Sequence, residues 1–375
     1  MKTTFAMLAA AALLAPLAAQ AQAPAAAPGA APPGAAVQPP RPAVPPGPPT
    51  SNGYFPGLER PVPASQPNLV IRNDPALDQI IAPGVLPEFV ANGFNSTEGP
   101  LWWKGKITVS DQRAGQIYSL DDKGQKTVLA QNTGWVYTPT VTVNQGPNGR
   151  IADKNGGMLV MRQGARDIGR MDAKGKFTSY LSKYEGKRFN SPNDMVYTDD
   201  GALFFTDPAY SLPGGVKGPN DELQFDGVYS YKAGKLVLID GTLTRPNGIG
   251  RSPDNKTLYV STASPSPRII AWDIQPDGTA TNKRDFYNWV LPPGTRGGVD
   301  GLKVDSQGNI WATGPGGVNI ISPQAKNLGV VQNAGRGGSN VAFGGPNNQT
   351  VYITGGTNLY KIETLVKGQV ATYSQ

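Results

Sequence analysis

The chain has 375 residues, with 47 glycines, 36 prolines, a formal charge of +7 and neither a cysteine nor a histidine. Disulfides, thiolate metal sites, Ser-His and Cys-His nucleophile systems and histidine general bases are thereby excluded, so any chemistry rests on carboxylates, amides, hydroxyls, Lys, Arg or a metal. Abundant Gly and Pro with sparse charge favour many short strands and turns over helices, and no run of Lys or Arg is long enough to read as a nucleic-acid patch.

Residues 1–23, "MKTTFAMLAAAALLAPLAAQAQA", place a basic residue at Lys2 before an apolar region from Phe5 to about Leu17 and small-x-small cleavage options near Ala19 to Ala23. This reads as a secretory signal and predicts a periplasmic or secreted protein. The apolar run is too short, and too interrupted by Pro, for a membrane span. Residues 24–67 are dominated by Ala, Pro and Gly, a composition that buries no core and tends to extended conformations, so they read as a disordered spacer dispensable for catalysis. Core-forming signals begin near Leu77, and the catalytic domain is assigned to 68–375.

Six stretches then repeat one pattern: a polar anchor, a few apolar positions, a turn at Gly, Asn or Asp, and a departing strand. They are "EGPLWWKGKITVSD" from Glu98, "PNGRIADKNGGMLVM" from Pro147, "PNDMVYTDDGALFFT" from Pro192, "PNGIGRSPDNKTLYVST" from Pro246, "VDGLKVDSQGNIWAT" from Val299 and "SNVAFGGPNNQTVYIT" from Ser339. Each is followed by a second alternating run, such as "GQIYSLDDKG" or "DGVYSYKAGK", and four of these enter a Gly-containing hairpin turn. Two linked strand-period signals recurring six times, at roughly 40 to 54 residues, predict an all-β, six-bladed propeller of four-stranded antiparallel blades. The segment "PEFVANGF", Pro87 to Phe94, is expected to give a strand to the blade of Asn340 and "NLYKIE", closing the ring with both ends of the chain and leaving no sheet edge exposed.

The anchors are Glu98, Asn148, Asn193, Asn247, Asp300 and Asn340. Turn chemistry accounts for a single Asn-Gly. It does not account for the same type of residue opening the innermost strand in blade after blade, which a propeller gathers about one axis. Glu98 and Asp300 bring negative charge, and Asn193 and Asn247 bring neutral amide oxygens. Such an oxygen-only cage suits Ca²⁺, with Mg²⁺ and Mn²⁺ as alternatives, and disfavours zinc and copper.

"EGPLW", "FNSPND", "GALFFTDPAYSL", "RPNGIG" and "VDGLKVDSQGNIWAT" together resemble the senescence-marker-protein/gluconolactonase/luciferin-regenerating-enzyme family, from about Asp78 to Thr364. The resemblance implies a six-bladed propeller that hydrolyses sugar lactones with a central divalent metal. It places the metal ligands on Glu98, Asn193, Asn247 and Asp300, and the proton-transfer carboxylate on Asp300. It also puts Asp194, Asp207 and Tyr210 in motifs around the substrate cavity; for the two carboxylates, capping of backbone amides is the alternative. Where many relatives carry Cys-Glu-His-Gly on the second blade, this chain has "MRQG", Met161 to Gly164, so Gln163 takes the position of the His, and Arg166 fits the surrounding pattern. The segments Thr133 to Gly146 and Pro213 to Asp226 are candidate walls of the cavity mouth, or ordinary surface loops.

The function expected from these residues is opening of a small lactone, with the metal polarising the carbonyl and Asp300 assisting water attack. A phosphoester or organophosphate hydrolase on the same site, and a non-catalytic propeller with a structural calcium, are the rival expectations.

Overall fold

The computed structural model describes residues 68–131, 133–134, 146–264, 266–291, 298–333 and 338–370. The signal and spacer assignments lie outside the described residues, as do residues 135–145 of the first candidate mouth loop.

Six antiparallel sheets of four or five strands follow one another along the chain, with a two-stranded ribbon of Lys183–Tyr184 and Lys187–Arg188 between the second and third. Blade 1 is Thr97–Trp103, Lys106–Asp111, Gln116–Leu120 and Lys126–Ala130. Blade 2 is Pro147–Ala152, Met158–Arg162, Asp167–Met171 and Phe177–Leu181. Blade 3 is Met195–Tyr197, Leu203–Asp207, Gly227–Lys232 and Lys235–Asp240. Blade 4 is Thr244–Arg251, Thr257–Ser264, Arg268–Ile274 and Ala280–Asn288. Blade 5 opens with Leu302–Val304, Ile310–Gly314, Gly317–Ile321 and Asn327–Gln332, and blade 6 with Asn340–Gly344, Thr350–Gly355 and Asn358–Glu363. The first strand of each blade packs against the first strand of the next, and that of blade 6 packs against that of blade 1. This closed ring of innermost strands is the predicted six-bladed propeller. Among the described residues no helix is long and apolar enough to cross a membrane.

The burial pattern follows from the stacking. A second strand such as Leu203–Asp207 is sandwiched between two neighbouring blades and is buried at every position, whereas the outermost strand Ala280–Asn288 is largely exposed. The apolar interior is divided accordingly into six clusters, one at each blade-to-blade interface. Phe204 and Val228 of blade 3 meet Ile249, Leu258 and Trp272 of blade 4, and Val109 and Leu120 of blade 1 meet Tyr352 and Leu359 of blade 6.

Closure occurs as the sequence predicts. Glu88–Ala91 pairs with Asn358–Glu363, with Glu88 opposite Lys361 and Phe89 opposite Tyr360. A second closure lies ahead of it: Leu69–Arg72 adds a fifth strand to blade 5 by pairing with Asn327–Gln332. The folded chain therefore starts earlier than the core signal near Leu77. A four-residue edge strand that exposes Leu69 and Ile71 carries no pattern of its own to announce it. Between the two strands, the 3₁₀ turn Pro75–Gln79 is capped by Asp74, and Leu77, Ile80 and Ile81 enter the core between blades 5 and 6.

These placements make the N-terminal segment part of the structure rather than a tail. Leu77→Ala, at a fully buried site, is expected to cost about 2–5 kcal/mol in urea unfolding, whereas Leu69→Ala on the exposed face of the added strand should cost under about 0.5 kcal/mol. Similar small effects for both would show that the segment is not packed as described.

Candidate active site

Each anchor stands within two residues of the start of an innermost strand, except Asn247, which is the fourth residue of its strand, and all six are buried, none more than 5 % exposed. The residue after the anchor explains how they come so close. In blades 1, 2, 4 and 5 it is glycine, and a β-carbon there would collide with the neighbouring blade. It would lie 2.1 Å from the Asn148 carbonyl oxygen at Gly99, 2.5 Å from Asp194 Oδ1 at Gly149, 2.4 Å from the Leu302 nitrogen at Gly248 and 2.1 Å from Asn340 Cγ at Gly301. The Asn-Gly and Asp-Gly pairs thus serve close approach of strands around the axis.

A ring of hydroxyls, not recognised in the sequence, fixes the anchors' backbones. The fourth residue of the second-strand core in blades 1, 3, 4 and 5 is Ser110, Thr206, Ser261 and Thr313. Their hydroxyls donate to the carbonyls of Asn148 at 2.9 Å, Asn247 at 2.7 Å, Asp300 at 2.6 Å and Ser339 at 3.3 Å, each on the next blade. Ser339 Oγ closes the circuit by donating to the Thr97 carbonyl beside Glu98, at 2.8 Å. Blade 2 has Met161 at this position, and there the Gly149 N–H donates to the Asn193 carbonyl instead, at 2.9 Å. The recurring Ser or Thr of "TVSD", "FFTD", "YVST" and "IWAT" was the available signal.

Within the ring, Glu98 Oε2 accepts from the Gly99 N–H at 2.7 Å and from Asn340 Nδ2 at 3.2 Å. Burial pushes the Glu98 carboxyl up to about 7 against these two donors, with Asp194 adding to the rise. Asp300 is held well above the usual carboxylate range by burial and by the charge of Glu98, with the Asn247 amide opposing. Asn247 Nδ2 donates to the Tyr210 hydroxyl at 3.3 Å, which donates on to the Arg245 carbonyl at 3.4 Å. Burial, and then the nearby Asp300, raise the Tyr210 phenol.

Several buried polar atoms here have no partner: Asp300 Oδ2, Asn247 Oδ1, Asn193 Nδ2 and both side-chain ends of Asn148. An Asn amide turned by half a rotation presents oxygen where nitrogen stood, so Asn193 offers an acceptor equally well. Buried acceptors without donors, beside two carboxylates that burial drives toward protonation, are what a bound cation would satisfy. Among the described residues no three acidic side chains converge as an ion cage. Two carboxylates, Glu98 and Asp300, with the amides of Asn193 and Asn247 would make an oxygen donor set of the kind that suits a hard divalent ion.

Asp194 stands where the other blades have Gly or Val after the anchor, and its carboxylate is engaged. Oδ1 accepts from the Met195 N–H at 2.9 Å, and Oδ2 from Lys303 Nζ at 2.7 Å and Asn340 Nδ2 at 3.4 Å. Lys303 is a further ring neighbour that sequence reasoning passed over. So is Arg150, fully enclosed and pushed down to about 9 by burial, which donates Nε to the Gly99 carbonyl at 3.0 Å.

The remaining candidates lie around blades 2 and 3. Asp207 Oδ2 accepts from the Asn190 N–H at 2.8 Å, and burial followed by Asp226 raises its carboxyl. That bond braces the "NSPND" turn, while Asp207 Oδ1 is buried without a partner. Arg166 spends its donors on the carbonyls of Phe189 at 2.6 Å and Asn220 at 2.9 Å, with Glu222 at 3.6 Å, and so clamps the insertion Pro213 to Asp226 onto blade 2. Asp221 holds that insertion from within by accepting from the N–H groups of Lys217, Leu223 and Gln224. Gln163 Oε1 accepts from Gln112 Nε2 at 3.3 Å, and its own Nε2 has no partner.

Comparison with known proteins agrees with this geometry. Residues 96–357 match the family described as the SMP-30/Gluconolactonase/LRE-like region. The chain is 31% identical over 312 residues to a gluconolactonase of Zymomonas mobilis, covering 80% of this chain and 87% of the relative. It is 30% identical over 271 residues to a pentonolactonase of Haloferax volcanii, covering 68% and 80%. The solved structure of a gluconolactonase from Xanthomonas campestris superposes with a TM-score of 0.68 at 28% identity, over 81% of this chain and 97% of that one. A match that spans all six anchor motifs and ends at the turn just before Asn358–Glu363 places this chain in the SMP-30/gluconolactonase/LRE-like family.

Proposed function

We propose that this protein opens sugar lactones by metal-dependent hydrolysis at the anchor ring. The observation that carries the reading is the pair of unpartnered buried oxygens, Asp300 Oδ2 and Asn247 Oδ1, on a ring that also holds the carboxylate of Glu98. That the chain is a lactonase, a carboxylic-ester hydrolase, follows from its gluconolactonase and pentonolactonase relatives.

Glu98, Asn193, Asn247 and Asp300 would hold the ion, for which Ca²⁺ is the first choice and Mg²⁺ and Mn²⁺ are alternatives. Bound there, a divalent cation supplies Lewis acidity toward the lactone carbonyl. The chain's own groups handle the proton. Water adds to the carbonyl carbon as the Asp300 carboxylate takes its proton, and the same proton passes to the ring oxygen as the C–O bond breaks, leaving a hydroxy acid. Asn247, tied to Tyr210, keeps its amide oriented beside Asp300, and the hydroxyl girdle keeps both backbones in place. No covalent nucleophile is required, because lactone opening is intrinsically easy. The leader-like residues 1–23 support export to the periplasm or beyond.

The reading is tested on a panel of D-glucono-1,5-lactone, a pentonolactone and a phosphotriester in a pH-stat. Lactones are expected to be opened and the phosphotriester left intact; the reverse would replace the proposal with a phosphoester hydrolase. Treatment with a chelator is expected to abolish lactone opening and to lower the thermal midpoint, because the buried carboxylates lose their counter-charge, and Ca²⁺ should restore both. Full activity in the metal-free protein would refute metal dependence.

Two substitutions separate the roles within the ring. Asn193→Ala should weaken metal affinity with little change in turnover at saturating metal, since it removes one neutral ligand. Asp300→Asn deletes charge and basicity at nearly constant volume, and turnover is expected to fall about 10²- to 10⁴-fold without rescue by added metal. Near-parental turnover in Asp300→Asn would remove it as the base, and a purely structural ion would make both variants lose thermal stability without separating affinity from rate.

A further inference from the structure

The four proposed ligands leave two anchors unassigned, and these differ sharply. Asn340 is consumed within the ring: its Nδ2 donates to Glu98 and Asp194, and its Oδ1 accepts from the Val341 N–H at 2.9 Å. Asn148, between the blades of Glu98 and Asn193, is 1 % exposed and has no partner on either end of its amide. A buried amide that makes none of its hydrogen bonds costs several kcal/mol unless a ligand or ordered water completes it.

The neighbouring unsatisfied group is on the same end of the ring. Gln163 closes the second strand of blade 2, and its N–H donates to the carbonyl of Gly146, two residues before Asn148. Gln112 is its counterpart on blade 1, and Gly146 packs directly on it, for a β-carbon at Gly146 would lie 2.0 Å from the Gln112 carbonyl oxygen. The two side chains are joined in one direction. Ser96 Oγ donates to Gln112 Oε1 at 3.4 Å, and Gln112 Nε2 donates to Gln163 Oε1 at 3.3 Å. Gln163 is fully buried, and in this arrangement its carbonyl is occupied and its Nε2 is left as a donor without a partner.

We propose that Asn148 and the Gln163 amide oriented by Gln112 form a hydroxyl-binding subsite that selects lactones carrying free hydroxyls close to the reacting carbonyl. Asn148 offers one donor and one acceptor, and Gln163 offers a donor. Two adjacent sugar hydroxyls, each able to give and to receive a hydrogen bond, complement that set, whereas an unsubstituted lactone would leave all three groups buried without partners. Sites built to hydrogen-bond a hydroxyl discriminate strongly against analogues that lack it for this reason. This inference rests on the lactonase reading and names the part of the substrate that these residues read.

The test compares D-glucono-1,5-lactone with δ-valerolactone, its unsubstituted analogue, on the full-length protein loaded with Ca²⁺. The parent should favour the hydroxylated lactone, and in Asn148→Ala and Gln163→Ala the ratio of the two kcat/KM values should fall about 10- to 30-fold, one or two hydrogen bonds' worth. Equal losses on both substrates would assign these residues to the metal or the carbonyl instead, and an unchanged ratio would remove them from recognition; either result overturns the proposal. Gln163→Met, of similar shape, carries the same comparison if Asn148→Ala fails to fold. Calorimetric titration of D-gluconate against 5-hydroxypentanoate reads the subsite without turnover. If the parent opens neither lactone, the proposed reaction fails, while a loss of gluconate preference in the variants still supports the subsite and its persistence still refutes it.

Discussion

Everything at the centre of this protein depends on how closely six innermost strands approach one axis. Four anchors are followed by glycine because the next blade's backbone or anchor side chain occupies the space of a β-carbon. The Ser and Thr hydroxyls that donate across blade boundaries are individually modest, about 1 kcal/mol each by the usual net value. Their importance is positional. They hold the anchor carbonyls, not the anchor side chains, so the carboxylates and amides are left free for chemistry while their backbones are fixed.

That arrangement concentrates charge where water is scarce. Glu98, Asp194 and Asp300 are all buried, and two of them are driven toward protonation. The protein answers part of the charge itself. Lys303 is paired with Asp194, and Arg150 lies near enough to Glu98 for the carboxylate to support its charge. Among the described residues Asp300 has no such cation, and one of its oxygens lacks any partner. The compensation is uneven, and the deficit falls on the side of the ring where Asn247 also presents a free oxygen. A carboxylate left open in such an interior is where the proposed cation would supply counter-charge.

Blade 3 carries the extra elaboration. Asp207, Asp226 and Arg166 brace the turn that presents Asn193 and Asp194 and the insertion that follows Tyr210. Asp226 accepts from the N–H groups of Ala209 at 2.7 Å and Arg245 at 2.8 Å, linking the approach to Tyr210 with the approach to Asn247. The supporting layer thus reaches the site through backbone amides and carbonyls, which is why carboxylates in motifs around the cavity serve as supports.

The repeat of anchor, turn and alternating strand was legible in the sequence because each blade is a local hairpin meander whose period survives in the order of residues. Six blades, the closing strand at Glu88–Ala91 and the anchors Glu98, Asn193, Asn247 and Asp300 all followed from it. The added strand at Leu69–Arg72 did not, because it is a fifth strand on a blade that already has its four, and the six-fold repeat calls for no such addition. Nor did the roles of Lys303, Arg150 and Asn148, since a residue's partner across the axis comes from another blade and no spacing along the chain encodes it. Asp194 and Arg166 make the same point from the other side. The motifs singled both out, but only the folded ring decided that Asp194 is held by Lys303 and that Arg166 is spent on the carbonyls of Phe189 and Asn220. Sequence determined which residues begin each innermost strand; the closing of the ring determined which of them remained without a partner, and so which are available to bind.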